Sequence, residues 1–335
     1  MKLNKQLVVK QFSSEITIAS DVIEKPIPVL WENDVLIKNI YVGINALYDR
    51  ELYQGRVPYI DIDLPYVFGV EAVGVVIEVG KNVKNVALGQ AVSTVKVGTA
   101  YQEYQIIKQE DVIKIPEATP EYLTLNPTGV SAYLALKNVA ELKDGEIIIV
   151  SAAAGGLGHI VVQLAKHKKC HVVAICGTKE KVELLKSLNS CDRIINYKEE
   201  KIAEVLSKEY SNKIDVGFDS VGTYMFDAFL QNLAPLGRLV VSGLATELNA
   251  PYFEKREATR VYESIYWKGA SVRCFMNHLY REQHQEARNY LFDLYQKGEL
   301  RVKVDQTTFS GIESIIEASE YLLAGKSCGK VVVRL

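Results

Sequence analysis

Two rhythms of apolar residues divide the chain. Up to residue 124 the apolar runs are short and broken by Gly, Pro and Asn, as in "VLIKNIYVGIN", "VVIEVG", "AVSTV", "AYQEYQIIK" and "VIKIP". Runs of that length between turn formers predict a β-rich domain. From residue 125 the strand-like runs "IIIV", "HVVAIC", "DRIIN", "IDVGFDS", "GRLVVSG" and "ASVRCF" alternate with helix-length stretches. That alternation predicts an α/β domain built on a doubly wound parallel sheet. After residue 278 a polar helical stretch runs through Tyr295, and the tail from Leu300 to Leu335 has two strand-like ends around a helix. The economical account is a β-rich domain over 1–124, completed by 301–335, with the α/β domain over 125–300 inserted into it.

The most informative local pattern joins a buried strand, "EIIIVS", to an amphipathic helix, "GHIVVQLAKHKK". Between them "AAGGLG", Ala153 to Gly158, fits the dinucleotide fingerprint, with Ala153 in the place of the first glycine, Gly155 in the second and Gly158 in the third. Gly155 has no Cβ to block a pyrophosphate, and Gly158 lets the helix pack close to the strand. Ala154, Gly155, Gly156, Leu157 and Gly158 are therefore candidate cofactor-binding residues, with the helix N-terminus supplying N–H groups and partial positive charge. About twenty residues further on, a site built for NAD would place a carboxylate to bind the ribose 2′-hydroxyl. This chain has "AICGTKEK" there. Gly177 and Thr178 leave room, and Lys179 or Lys181 can neutralise a 2′-phosphate, which favours NADPH. Glu180 argues the other way unless it is an acidic residue in the first turn of the next helix.

Composition narrows the class of partner. The chain has 335 residues, 48% of them hydrophobic and 24% charged, with a formal net charge of -2 and no basic block. That balance gives no electrostatic footprint for nucleic acid or an anionic membrane, and points to a small-molecule partner. No segment reaches the roughly 18 uninterrupted apolar residues of a membrane span, and "MKLNKQLVVKQF" is not a signal peptide, so a cytoplasmic location is expected. The five cysteines have no paired spacing, which leaves a disulfide framework or structural zinc knot without support. "YLALK", Tyr133 to Lys137, has the Tyr-x-x-x-Lys spacing of short-chain dehydrogenases but precedes the glycine turn, the reverse of their order. It reads as an ordinary helix surface. The five histidines form no HExxH or triad-like pattern, and "SAAAG" is not a nucleophile elbow.

"AAAGGLG", "CHVVAICGTKEKVELLKSLNSCDRIINYKEE" and the terminal "GKVVV" together resemble the zinc-independent, quinone-oxidoreductase branch of the medium-chain dehydrogenase/reductase superfamily. Within it they are similar to the prostaglandin reductase group of NADPH-dependent enone reductases. The resemblance covers nearly the whole chain and implies a GroES-like β-rich domain with a Rossmann domain. Where zinc-dependent members have Gly-His-Glu, "FGVEAVGVV" has Val70 in place of the histidine, and "VGINALYD" lacks the upstream cysteine, so no metal is expected and Glu71 reads as a structural polar residue. By the resemblance Asn45, Tyr48 and Tyr53, on a loop facing the substrate, are candidate catalytic donors, Asn45 having the other reading of a helix cap and the tyrosines that of packing. Cofactor contacts implied in the same way are Thr128, Tyr197, Ser220 and Val221 with Gly222, Gly243, Leu244, Phe275, Met276 and Asn277, with Cys328 to Lys330 closing the far side. A homodimer joined at the edge strand "ASVRCF" is also implied.

Without a metal to polarise a carbonyl, conjugate reduction is the easier chemistry. Hydride adds to the β-carbon of an α,β-unsaturated ketone or aldehyde, including 15-oxoprostaglandin-like lipids, and one or two donors stabilise the developing enolate. NADPH:quinone reduction is the alternative within the enzyme class, and a non-catalytic NADPH-binding sensor or crystallin-like protein is the alternative outside it. Apolar and aromatic residues in "LYQGRVPYIDIDLPY" and "APYFEKREATRVYESIYW" point to a roomy pocket mouth.

Overall fold

A computed structural model describes residues 2–246 and 260–335. The chain forms two compact units, Met1–Pro127 with Val304–Leu335, and Thr128–Lys303.

In the first unit the apolar alternation builds a seven-stranded sheet. Its order is Phe309–Ser310, Val332–Arg334, Asp34–Gly43, Glu71–Val79, Ala91–Val95 and Ile113–Lys114, with Tyr104–Lys108 also pairing Asp34–Gly43. The C-terminal strand runs antiparallel to Asp34–Gly43, with Val333 opposite Val42. The last residues of the chain thus complete a sheet begun by the first. A smaller sheet pairs Leu3–Val9 with Ser20–Pro26 and Tyr66–Val67, a hairpin that the apolar rhythm did not reveal. Leu7, Val42, Phe68, Tyr101, Ile315 and Val333 share one core. Within it the Phe68 ring meets Tyr101 edge-on at 5.1 Å and Tyr53 edge-on at 6.1 Å, a favoured aromatic geometry.

In the second unit six parallel strands lie in the order Arg193–Asn196, His171–Cys176, Ile147–Val150, Ile214–Asp219, Leu233–Val241 and Ser271–Cys274. Counted by appearance within the unit this is 3-2-1-4-5-6, the doubly wound nucleotide-binding order. The central strands are apolar on both faces, Ile148, Ile149, Val216 and Phe218 being fully buried, because helices cover a parallel sheet on both sides. The order reverses between Ile147–Val150 and Ile214–Asp219, so the crevice lies where these strands end, at Ser151 and Ser220. The Tyr133–Lys137 pair is a helix surface: the Tyr133 ring lies 4.9 Å from that of Tyr290, and the Lys137 ammonium is 2.6 Å from Glu286.

Among the described residues no helix is long and apolar enough to cross a membrane. Of the expected pocket mouth, 250–259 lies outside the described residues, while Val261–Tyr266 is a helix.

The helix Gly158–His167 comes so close to the turn before it that a Cβ on Gly158 would sit 2.7 Å from Ala153 Cα and nearer still to the Ala152 carbonyl oxygen. Both obstacles are backbone and cannot rotate away. Gly158→Ala is expected to cost about 1–3 kcal/mol, read as a lowered melting temperature, and to weaken nucleotide binding by displacing the helix N-terminus.

Candidate functional site

The strand Ile147–Val150 delivers the chain into a tight turn. Ala152 takes the left-handed conformation, with φ of 47°, and the Gly155 N–H donates to its carbonyl at 2.9 Å. The left-handed position of the turn therefore falls at Ala152, one residue before Ala153, which stands in the place of the fingerprint's first glycine. The Ala153 N–H is held by the neighbouring strand, donating to the Ile175 carbonyl at 3.0 Å. A Cβ on Gly155 would meet only the Ala152 oxygen, at 3.2 Å, so its other side is open to a ligand. The helix then starts at Gly158; the His159 N–H donates back to the Gly155 carbonyl at 3.1 Å and the Ile160 N–H to the Leu157 carbonyl at 3.1 Å.

His159 braces this turn, and its local sequence gave no sign of it. Its ring is fully buried; Nδ1 lies 2.9 Å from the Gly155 carbonyl oxygen, and the Lys303 N–H donates to Nε2 at 3.0 Å. These partners fix the neutral Nδ1–H tautomer. Burial holds its pKa down at about 4.

At the end of the second strand of this unit, Gly177 makes room for Tyr197. A Cβ on Gly177 would lie 2.5 Å from the tyrosine hydroxyl oxygen and ring tip. Thr178 caps the helix Lys179–Leu188, its Oγ1 accepting the Lys181 N–H at 3.3 Å. Glu180 belongs to that cap: its own backbone N–H, then the Thr178 hydroxyl, hold its carboxyl below the usual range. This agrees with the first-turn reading of Glu180; Lys181, half-buried, follows in the same turn.

Asp219, which sequence reasoning missed, ties the two turns at the crevice together. Fully buried, it accepts the Ser151 hydroxyl at 2.7 Å and the N–H groups of Val221 and Gly222 at 2.9 and 3.0 Å. The Ser220 N–H donates to Ser151 Oγ at 2.8 Å. Desolvation raises its pKa against these hydrogen bonds. Ser220 and Val221 are further latticed to the next strand's exit, their carbonyls accepting the N–H groups of Ala245 and Thr246. Gly243 packs against Ser220, where a Cβ would lie 3.0 Å from its carbonyl oxygen, and Leu244 is exposed. Beyond the last strand Phe275 stacks on Tyr280, Met276 is exposed, and the Asn277 amide donates to Ser131 Oγ at 2.7 Å. Thr128 is half-buried at the start of the unit.

The catalytic candidates belong to the first unit. Residues expected on a loop form the helix Ala46–Tyr53, with Asn45 at its N-cap and no side-chain cap hydrogen bond. The Asn45 side chain turns elsewhere: its Nδ2 donates to Glu71 Oε1 at 2.8 Å, and its Oδ1 accepts from Lys330 Nζ at 2.9 Å. Lys330 and Glu71 are 4% and 0% exposed and 2.5 Å apart. Asp49 reaches back to accept the Asn45 N–H at 2.8 Å and the Tyr101 hydroxyl at 2.6 Å. Tyr48 is half-buried against the core. Tyr53 is 3% exposed, its ring in the core edge-on to Phe68. This is a packing position and corrects its expected role as a donor. A cavity of about 210 Å³ beside this helix is lined by Phe12, Leu52, Gly55, Val57, Ile60, Asp61 and Ile62, within the stretch expected to be apolar.

Comparison with known proteins agrees with this architecture. Residues 156–287 match the zinc-binding dehydrogenase family and residues 31–117 the alcohol dehydrogenase GroES-like domain. Prostaglandin reductase-3 of Mus musculus is 36% identical over 97% of this chain and 86% of its own length. The chain belongs to the medium-chain dehydrogenase/reductase superfamily. Within this superfamily, the 2-alkenal reductase (NADP(+)-dependent) of Nicotiana tabacum is 29% identical over 98% of this chain and 97% of its own. The quinone oxidoreductase of Escherichia coli, solved with NADPH, superposes with a TM-score of 0.83 at 25% identity, covering 99% of this chain and all of that one.

Zinc, which the first of those family descriptions names, does not fit the donors of the first unit. That unit has no histidine and one cysteine, Cys328, whereas zinc sites in proteins are built chiefly from these two residues. Its buried Glu71 carboxylate faces an ammonium, whose charge repels a dication.

Burial, opposed by its hydrogen bonds to Tyr101 and Asn45, pushes the Asp49 pKa up to about 7. A folded pKa above the unfolded one means the native state binds the extra proton, so the contribution to stability is present below the unfolded value, 3.8, and lost as pH rises through about 7. Asp49→Asn, which keeps the shape without the charge, is expected to gain stability relative to the parent as pH rises across that window, by up to about 1.4 kcal/mol per pH unit. Denaturant titrations of both proteins at pH 5 and 8 measure it.

Proposed function

We propose that the protein is an NADPH-dependent, zinc-independent reductase that adds hydride to the β-carbon of α,β-unsaturated ketones or aldehydes. The observation that carries this reading is the dinucleotide turn of the second unit; the held, half-buried Asn45 amide of the first unit is the donor we assign. The names of two relatives, a prostaglandin reductase and an NADP(+)-dependent 2-alkenal reductase, support the substrate class.

NADPH, when bound, supplies the hydride. The chain's own residues bind and orient. Gly155 and Gly158 keep side chains out of the turn, and we assign the turn's backbone and the positive end of the helix it opens to the pyrophosphate. Tyr197, seated against Gly177, and Lys181 at the start of the next helix are the residues we assign to the adenosine 2′-phosphate. Thr128, Ala154, Gly156, Leu157, Thr178, Ser220, Val221, Gly243, Leu244, Phe275, Met276 and Asn277 are included as the remaining cofactor contacts. Asn45 donates an N–H to the substrate oxygen, on which negative charge develops as hydride arrives; Tyr48 is the second candidate donor. Solvent then protonates the α-carbon.

Quinone reduction is the second reading, favoured by the likeness to the Escherichia coli quinone oxidoreductase. A cytoplasmic homodimer joined through Ser271–Cys274 is part of the proposal: this strand ends the six-stranded sheet, with a pairing partner on one side among the described residues.

Oxidation of NADPH, followed by absorbance with a panel of enones and quinones, tests the activity. Turnover of enones is expected, with Asn45→Ala lowering kcat about 100-fold. Tight binding of NADPH without turnover of any acceptor would leave a non-catalytic binding protein. For the coenzyme, Lys181→Ala is expected to weaken NADPH binding about 10-fold while leaving NADH unchanged, since one charge-assisted hydrogen bond is lost only with the phosphorylated form. Equal loss with both coenzymes would remove Lys181 from the 2′-phosphate.

A further inference from the structure

The hydrogen bonds around Lys330 carry more than an ion pair. A lysine ammonium has three N–H donors and no acceptor. In this protein all three have acceptors: the Ile44 carbonyl at 3.0 Å, Asn45 Oδ1 at 2.9 Å and Glu71 Oε1 at 2.5 Å. Nothing is left to offer a ligand, so Lys330 is not the cofactor contact that the resemblance implied.

The same arrangement decides which way the Asn45 amide faces. An ammonium cannot accept and a carboxylate cannot donate, so Oδ1 must face Lys330 and Nδ2 must face Glu71. Turning the amide over would set its NH2 against the ammonium and its oxygen against the carboxylate, both at hydrogen-bond distance. The backbone is pinned as well, since Asp49 accepts the Asn45 N–H at 2.8 Å. Of the two Nδ2 protons, one is committed to Glu71.

The carboxylate has its own constraint. Gly43 has no side chain, and a Cβ there would lie 2.6 Å from Glu71 Cδ and 2.7 Å from Leu123. The Glu71 side chain therefore fills space that any other residue at position 43 would occupy. Its Oε2 is buried with no hydrogen-bond partner among the described residues, so both of its hydrogen bonds, from Asn45 and from Lys330, converge on Oε1.

We propose that Glu71 and Lys330 are positioning residues: as a buried pair of opposite charge they lock the Asn45 amide in one orientation, aiming its second N–H at the substrate oxygen. The assignment rests on the enone-reductase reading for its catalytic consequence, but the lock itself does not. Glu71 and Lys330 never touch substrate; they act through Asn45. Any carbonyl acceptor, enone or quinone, would receive the same N–H.

The test removes both charges together, because deleting one alone strands the other in the interior. In Glu71→Gln/Lys330→Met, kcat for an enone is expected to fall about 10- to 100-fold, the loss typical of one misdirected donor, while the dissociation constant for NADPH changes less than twofold. Selective 15N-asparagine labelling supplies a readout apart from activity. The Asn45 side-chain amide, assigned by its loss in Asn45→Ala, is expected to show shifted, exchange-protected resonances in the parent that return to the solvent-exposed region in the double variant. Gly43→Ala, which displaces the carboxylate without changing charge, is expected to do the same. Unchanged Asn45 resonances in the double variant would overturn the proposal, as would parental kcat. If the parent reduced no acceptor while its amide resonances still collapsed in both variants, the lock would stand and the functional reading would fall.

Discussion

A carboxylate and an ammonium 2.5 Å apart in the interior of the first unit set the terms for what surrounds them. Taking either ion out of water costs several kcal/mol, and their attraction offsets this only if the remaining donors and acceptors are also met. Lys330 meets that condition fully and Glu71 with one oxygen. The glycine at 43, the extended backbone at Asn45 and the return of the C-terminal strand alongside Asp34–Gly43 all serve this condition. In the nucleotide-binding unit the governing constraint is different, a close approach of backbone to backbone at Gly158. One unit orders a polar side chain, the other brings a helix hard against the turn before it.

The second unit keeps His159 and Asp219 buried with no ion pair to either among the described residues. His159 stays neutral because burial disfavours its charged form, and its Nε2 is held as the acceptor of a backbone N–H. Asp219 is tied by two backbone amides and a serine hydroxyl at the end of its strand, where the sheet changes direction. Each is a bracing group for a turn that must stay open on its outer side. The crevice thus owes its shape to groups behind the ligand-facing surface, which is why the exposed residues there, such as Leu244 and Met276, make no comparable network.

The sheet of the second unit was legible because a strand buried on both faces is apolar throughout, so "IIIV", "HVVAIC" and "IDVGFDS" announce themselves. The glycine turn was legible for a related reason, since close approach admits only the smallest residues. The left-handed residue of that turn, Ala152, went unmarked, because alanine carries no sign of backbone conformation. The helix at 46–53 entered only as the alternative in which Asn45 caps it, and the Leu3–Val9 hairpin was missed, because their apolar positions are few and interrupted. Least legible was the polar cluster: Asn45 and Asp49 share one helix start, but Glu71, Tyr101 and Lys330 come from three other segments that no local spacing joins to it. Glu71 could be read as structural, but its partner stands five residues from the end of a tail whose "GKVVV" drew notice by resemblance alone.

The pairing of the last strand with Asp34–Gly43 has a consequence for synthesis. As the chain leaves the ribosome, the nucleotide-binding unit has all its strands while the first unit still lacks one edge of its sheet and the counterion for Glu71. The inserted unit is thus free to finish folding first, and its host waits, open along one seam and holding an unneutralised acid, until synthesis reaches Lys330.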